Sequence, residues 1–168
     1  MSSVRRKSGI EAAGFALFGA VVVAASSPPL AAEPAPVADL AGRWSGWGAV
    51  TLASGQSEQV KCVAVYTLAN AGASIEQTLR CASPSYRIDA SARLDILGET
   101  VSGSWEERSH DASGKVAGRL TRSGFELAIT GEHFSAAMAV ATSACKQTLQ
   151  IKPDGVDIAR IAVNLEKC

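Results

Sequence analysis

The sequence has 168 residues, of which 47% are hydrophobic and 5% aromatic, with 16 basic and 16 acidic side chains and two histidines. That length suits one domain of ordinary size. The balanced charge, with Lys and Arg scattered singly, excludes the basic stripe that nucleic acid or an anionic membrane would require.

The chain begins with a targeting pattern. Arg5, Arg6 and Lys7 precede an uncharged apolar stretch from Ala12 to Ala25, and small residues follow at Ala31 and Ala32. This is the order of a secretory signal peptide over residues 1–32, with cleavage before Glu33. The apolar stretch is shorter than the ~20 residues that a bilayer crossing needs, so the mature form is expected to carry no integral membrane segment. Ser8 and Gly9 stand where a twin-arginine signal carries apolar residues, which favours general secretion. With no cysteine near the cleavage point, a lipid-anchored lipoprotein is not expected. The signal would take three basic residues and Glu11 with it, leaving 13 basic and 15 acidic groups. Cys62, Cys81, Cys145 and Cys168 all follow this segment. An even number in an oxidising compartment, here the periplasm, predicts two disulfides, with three possible connectivities. No C-x-x-C pair occurs, which argues against a zinc site.

Residues 33–41 read as a flexible lead-in to a single domain over 42–168. From Gly42 onward the hydrophobic pattern has period two, interrupted by glycine-containing turns, as in a meander of antiparallel strands. The predicted strands are 43–52, 58–68, 74–82, 85–97, 100–108, 115–122, 125–130, 133–142, 145–151 and 157–165; over Val156–Leu165 the pattern also fits a helix. Eight to ten such strands with one apolar face close into a barrel or a flattened sandwich, which removes exposed edges. The predicted class is therefore an all-β, antiparallel meander.

Register makes the reading testable. A two-residue turn at Ala71-Gly72 sets Leu68 opposite Ile75, Ala64 opposite Leu79 and Cys62 opposite Cys81. Directly opposed residues of an antiparallel pair are close enough to bridge, so Cys62–Cys81 is one expected disulfide and Cys145–Cys168 follows largely by elimination. A Pro153-Asp154-Gly155 turn would put Ala162 opposite Cys145, leaving a bulge or bent tail to bring Cys168 back. Turns at Gly98-Glu99, Ser123-Gly124 and Gly131-Glu132 set Ile96 opposite Val101, Leu120 opposite Leu127 and Ile129 opposite Phe134. Trp105 then falls opposite Ala92.

Gly42-Arg43-Trp44 at the start of the first strand resembles the opening of lipocalins and the wider calycin group. The resemblance implies a barrel shut at one end by Trp44, with an arginine of the last strand packed over it; Arg160 is the candidate. The domain also resembles a group of small secreted alphaproteobacterial proteins with no established function. Trp44-Ser45-Gly46, Leu79–Ser83, Gly103-Ser104-Trp105, Phe134–Met138 and Cys168 carry that likeness, over residues 42–168.

Candidate chemistry is sparse. There is no G-x-S-x-G, and the cysteines are expected to be bridged. His110 falls in a loop and His133 at a hairpin turn, where surface positions are expected. Glu106, Glu107, His110 and Asp111 offer metal-type ligands, but strand alternation sends Glu106 and Glu107 to opposite faces, so no metal or other cofactor is expected. Glu107 follows Trp105 on the inward face, and Gln77 is inward between Ile75 and Leu79, where a polar group must find a partner. That partner is a ligand or the Tyr66 hydroxyl across the hairpin. The inward set mixes large residues (Trp44, Tyr66, Tyr86, Trp105, Phe125, Phe134, Met138) with small ones (Ala64, Ala90, Ala92, Gly103, Gly118, Ala136). Small residues leave a pocket or let sheet faces approach. Trp47 is expected to point outward, as a contact surface or beneath a terminal segment.

The sequence therefore predicts a non-enzymatic periplasmic barrel that binds a small, apolar ligand, with Trp44, Tyr66, Gln77, Trp105 and Glu107 as candidate contacts. The alternative is a partner-binding module, either a protease-inhibitor-like barrel or an accessory subunit of an envelope complex.

Overall fold

The computed structural model of the protein describes residues 37–168. The signal-peptide reading, its cleavage point and the first residues of the lead-in lie outside the described residues. A single helical turn, α1 (Val37–Leu40), leads into ten strands: β1 (Gly42–Leu52), β2 (Ser57–Ala69), β3 (Ser74–Ala82), β4 (Arg87–Leu97), β5 (Thr100–Glu107), β6 (Ala112–Thr121), β7 (Gly124–Gly131), β8 (Ser135–Ser143), β9 (Lys146–Asp154) and β10 (Ile158–Glu166). Each strand pairs antiparallel with its sequence neighbours, and β1 pairs with β10 to close the barrel. The fold is all-β and calycin-like.

Alternation dictates which face is buried. In β2, Val60, Cys62, Ala64 and Tyr66 are buried; in β8, Ala136, Met138, Val140 and Thr142 are buried, while Ala137, Ala139 and Ala141 face solvent. Fully burying a side chain such as Phe125 or Leu149 contributes roughly 1.5–3 kcal/mol, and both are at most 2% exposed. Gly103, facing Leu94, allows a wall contact that a side chain would block: a Cβ there would lie 1.9 Å from the Arg93 carbonyl oxygen.

The β2–β3 hairpin has the predicted register, with Leu68 opposite Ile75 and Cys62 opposite Cys81. Ala71 and Gly72 both take positive φ, and the Ala73 N–H donates to Asn70 O at 3.1 Å. Ile96 faces Val101 across the Gly98-Glu99 turn, and Trp105 faces Ala92. Both expected disulfides are present, Cys62–Cys81 and Cys145–Cys168.

Four expectations are corrected, and one open reading, strand or helix over Val156–Leu165, is decided. Thr121 pairs with Gly124, so the turn is Arg122-Ser123, and Leu120 faces Phe125 rather than Leu127. Thr130 pairs with Ser135, so Gly131–Phe134 is a four-residue connection and Ile129 faces Ala136 rather than Phe134. Neither Gly124 nor Gly131 has positive φ. They are glycines for lack of room: a Cβ on Gly124 would meet Val140 O at 2.0 Å, and one on Gly131 would meet Trp105 Cζ2 at 3.1 Å. The last hairpin pairs Lys146 with Glu166, so the chain end reaches the β8–β9 turn without a bulge, and the Lys167 N–H donates to Cys145 O at 3.1 Å. Val156–Leu165 is resolved as strand, from Ile158 onward. Finally, the lead-in is anchored at its C-terminal part, because Val37 and Leu40 are buried in the core.

Candidate ligand-binding cavity

The two ends of the barrel differ. At the end where β1 begins and β10 finishes, α1 lies over the interior. Trp44 is fully buried there, and its Nε1 donates to Leu40 O at 2.8 Å. The cation over the Trp44 ring is Lys167, with Nζ 4.8 Å from the centroid; it also donates to Asp39 O at 2.6 Å and Ala41 O at 3.3 Å. Arg160, the sequence candidate for that place, pairs with Thr51 far along β1 and binds Gln150 on the outer surface. Arg160 is an arginine of the last strand, as the resemblance implies, but it lies at the end of β10 away from Trp44 and on the outer face. Lys167 therefore clamps the end of β10 to α1 and closes this end.

Beneath Trp44 runs a chain of buried polar groups. Gln77 Nε2 donates to the Tyr66 hydroxyl at 3.3 Å, the hydroxyl donates to Gln147 Oε1 at 3.0 Å, and Gln147 Nε2 donates to Thr142 Oγ1 at 3.1 Å. No buried side-chain nitrogen or oxygen among the described residues is left without a partner. Burial pushes the Tyr66 phenol well above its ordinary value, an effect that the hydrogen bond to Gln147 only partly offsets.

The other half of the barrel is hollow. A cavity of about 480 Å³ begins at Gln77 and Leu94 and opens among the loops carrying His110 and Val156. Of the large inward residues, Tyr86, Trp105, Phe134 and Met138 line it, together with the small Ala90, Ala92 and Ala112. The small inward residues thus leave a pocket. Phe134, released from the β8 ladder by the four-residue connection, meets Trp105 edge-on at 5.6 Å between centroids. Trp105 Nε1 donates to Thr130 O at 3.1 Å, which fixes the indole in the wall.

Glu107 stands at the mouth with its side chain 12% exposed. Its carboxylate accepts the N–H groups of Asp89 at 2.7 Å, Ser109 at 3.1 Å and His110 at 2.8 Å, and lies 2.7 Å from His110 Nδ1. Burial alone would raise its pKa, but these hydrogen bonds outweigh it and hold the group below the usual carboxylate range. Glu106 faces outward, to Ser91 and Arg108. No metal-ligand cluster occurs among the described residues.

Of the five candidate contacts, Gln77, Trp105 and Glu107 come together around the cavity. Trp44 seals the opposite end, and Tyr66 reaches the cavity only through Gln77. Sequence reasoning missed Gln147 and Thr142, although their phase with Leu149 and Val140 marks them as inward. It also missed Asp157 at the mouth, which the alternation of a strand could not place in a loop. A second, broader hollow of about 640 Å³ lies on the outer wall over Ala117, Ala128, Ala137 and Ala139, but it is a shallow depression rather than a chamber.

No protein-family model matches the chain, and no curated protein does. Among solved structures, the barrel is similar to the S-type phycobiliprotein lyase CPES from Guillardia theta, with a TM-score of 0.56 and 10% identity over 79% of this chain and 90% of that one.

Proposed function

We propose that this protein is an exported, periplasmic carrier or sensor of a small apolar molecule, held in the open half of the barrel. One observation carries the reading: a cavity of about 480 Å³, walled almost wholly by apolar side chains, in an otherwise filled barrel. Ligand sites fall in the range of roughly 300–1,000 Å³ and combine an apolar wall with a few placed polar groups. The fold shared with a phycobiliprotein lyase places the chain among barrels of this architecture; at 10% identity that likeness transfers no activity. Two disulfides support an oxidising compartment, and the amino-terminal pattern supplies the route to it.

The reading is of a binder and not an enzyme. All four cysteines are bridged, and the Glu107 carboxylate is committed to the β5–β6 turn by the Ser109 and His110 N–H groups and to β4 by the Asp89 N–H. The test is fluorescence of the Trp47→Phe variant, which retains the indole at the cavity wall and the one at the sealed end. Fatty acids, quinones and tetrapyrroles should be titrated in turn, with a saturable change expected for at least one class. A flat response throughout would overturn the reading. The partner-binding alternative rests on Trp47, which is 59% exposed on the outer face of β1 with Lys61 Nζ 6.0 Å from its ring. Co-purification of an envelope protein that depends on Trp47 would favour it.

A further inference from the structure

The charge in the cavity is one-sided. Its lining includes two carboxylates, Glu107 and Asp157, and neither lysine nor arginine. His110 is the nearest group that could carry positive charge, and its Nδ1 already faces Glu107 Oε2 at 2.7 Å. Arg108, next to the mouth in sequence, is turned to the outer wall and pairs with Glu106 at 2.8 Å. At the floor, Gln77 commits Nε2 to the Tyr66 hydroxyl, whose own proton goes to Gln147. The Gln77 Oε1 atom has no protein partner among the described residues, and the residue lines the cavity. The floor therefore presents the Gln77 Oε1 acceptor and the mouth the Asp157 carboxylate. Glu107, its lone pairs occupied by the Asp89, Ser109 and His110 groups, adds negative charge to an otherwise apolar chamber.

Such a chamber discriminates by charge. An anionic headgroup entering it would lose its hydration with no cation to replace it, and would meet Glu107 and Asp157. A hydroxyl or ammonium group would instead find acceptors, and an ammonium would gain from the same carboxylates. We propose that the cavity selects apolar molecules bearing an alcohol or amine and excludes those bearing a carboxylate or phosphate. This rests on the reading of the cavity as a ligand site.

Displacement of N-phenyl-1-naphthylamine from the oxidised protein by 1-decanol, decylamine and decanoate tests it, since the three differ only in headgroup. Near about pH 7.5 the decanoate is an anion and the decylamine a cation. Decanol and decylamine should displace the probe at concentrations at least about tenfold below decanoate. Asp157 is exposed in the β9–β10 loop, and Asp157→Lys should strengthen decanoate and weaken decylamine, with decanol changing least of the three. Decanoate displacing as well as decanol in the unaltered protein overturns the selectivity and leaves the ligand site standing. A probe that never binds, with no response to any of the three, sinks both.

Discussion

Replacing Tyr66 by Phe removes one oxygen from the centre of the buried polar chain and leaves the ring in place. Tyr66 is 3% exposed and Gln147 1%, so no solvent can take over the hydrogen bond to Gln147 Oε1. An acceptor abandoned in a buried site costs about 1–3 kcal/mol. Gln77 faces the cavity, where water can take its N–H, so its share is small. The expected loss is therefore about 2 kcal/mol; with a urea m-value of about 1–3 kcal/mol per molar, the midpoint should fall by about 1 M. Urea unfolding of the oxidised protein, followed by tryptophan fluorescence, reads this directly. Adding Gln147→Leu should cost less than the two single changes summed, because both partners of the lost bond are then gone. An alkaline arm gives an independent check. Unfolded, Tyr66 would ionise near about pH 10, whereas the fold holds its proton to higher pH. Its contribution is thus complete below that pH and is lost as pH rises toward the folded value. The Phe variant should lack this component. A Tyr66→Phe stability within about 0.5 kcal/mol of the parent, the scatter of ordinary surface changes, would refute the chain as a structural element.

The remaining predictions concern the mouth, the sealed end and the bridges. Glu107→Gln should destabilise by about 1–3 kcal/mol, and it should flatten the acid limb, because a depressed carboxyl contributes above its ordinary value of about 4.3 and loses that contribution as pH falls. Lys167→Met should cost about 1 kcal/mol and speed hydrogen exchange at Ala41 and β1, whereas Arg160→Ala, on the outer surface, should change stability by less than about 0.5 kcal/mol. Non-reducing peptide mapping should recover Cys62–Cys81 and Cys145–Cys168; removing either bridge, with separations of 19 and 23 residues, should cost about 3 kcal/mol by loop-closure entropy.

Why some registers were legible and others were not comes down to what a glycine signifies. At Ala71-Gly72 the turn needs positive φ, and the opposed cysteines fix the same pairing independently. Gly124 and Gly131 look identical in sequence, but they answer a different demand, the close approach of Val140 O and of the Trp105 ring. Reading them as turn residues moves each pairing by two. A shift of two preserves side-chain facing, which is why Phe125, Leu127, Ile129 and Met138 were placed inward correctly despite the wrong partners. Phe134 is the residue for which the difference counts: outside the ladder, it folds onto Trp105 and forms part of the cavity wall. The shift at the last hairpin is odd and larger, and it hid how the chain end reaches the β8–β9 turn. The G-x-W opening led to the sealing tryptophan itself but carried no information about Lys167, which lies beyond the last strand.

The hollow half follows from the order of residue sizes along the strands. Inward Ala90 and Ala92 in β4 and Ala112 and Gly114 in β6 lie on the mouth side of Leu94 and Val116, and they leave that part of the wall thin. At the sealed end Trp44, Tyr66, Phe125 and Leu165 fill the same cross-section. An eight-stranded barrel is just wide enough for side chains to fill, and diameter grows with strand number, so a ten-stranded one needs large residues at every level to be solid. Close packing is the rule in protein interiors, and Leu or Ile at positions 90, 92 and 112 would move the cavity toward it. The chain instead keeps Ala90, Ala92 and Ala112 there, and hydrogen bonds hold Glu107 and the Trp105 indole at the rim. Empty space in the wall costs packing that a filled barrel would retain, and the proposed ligand would restore those contacts.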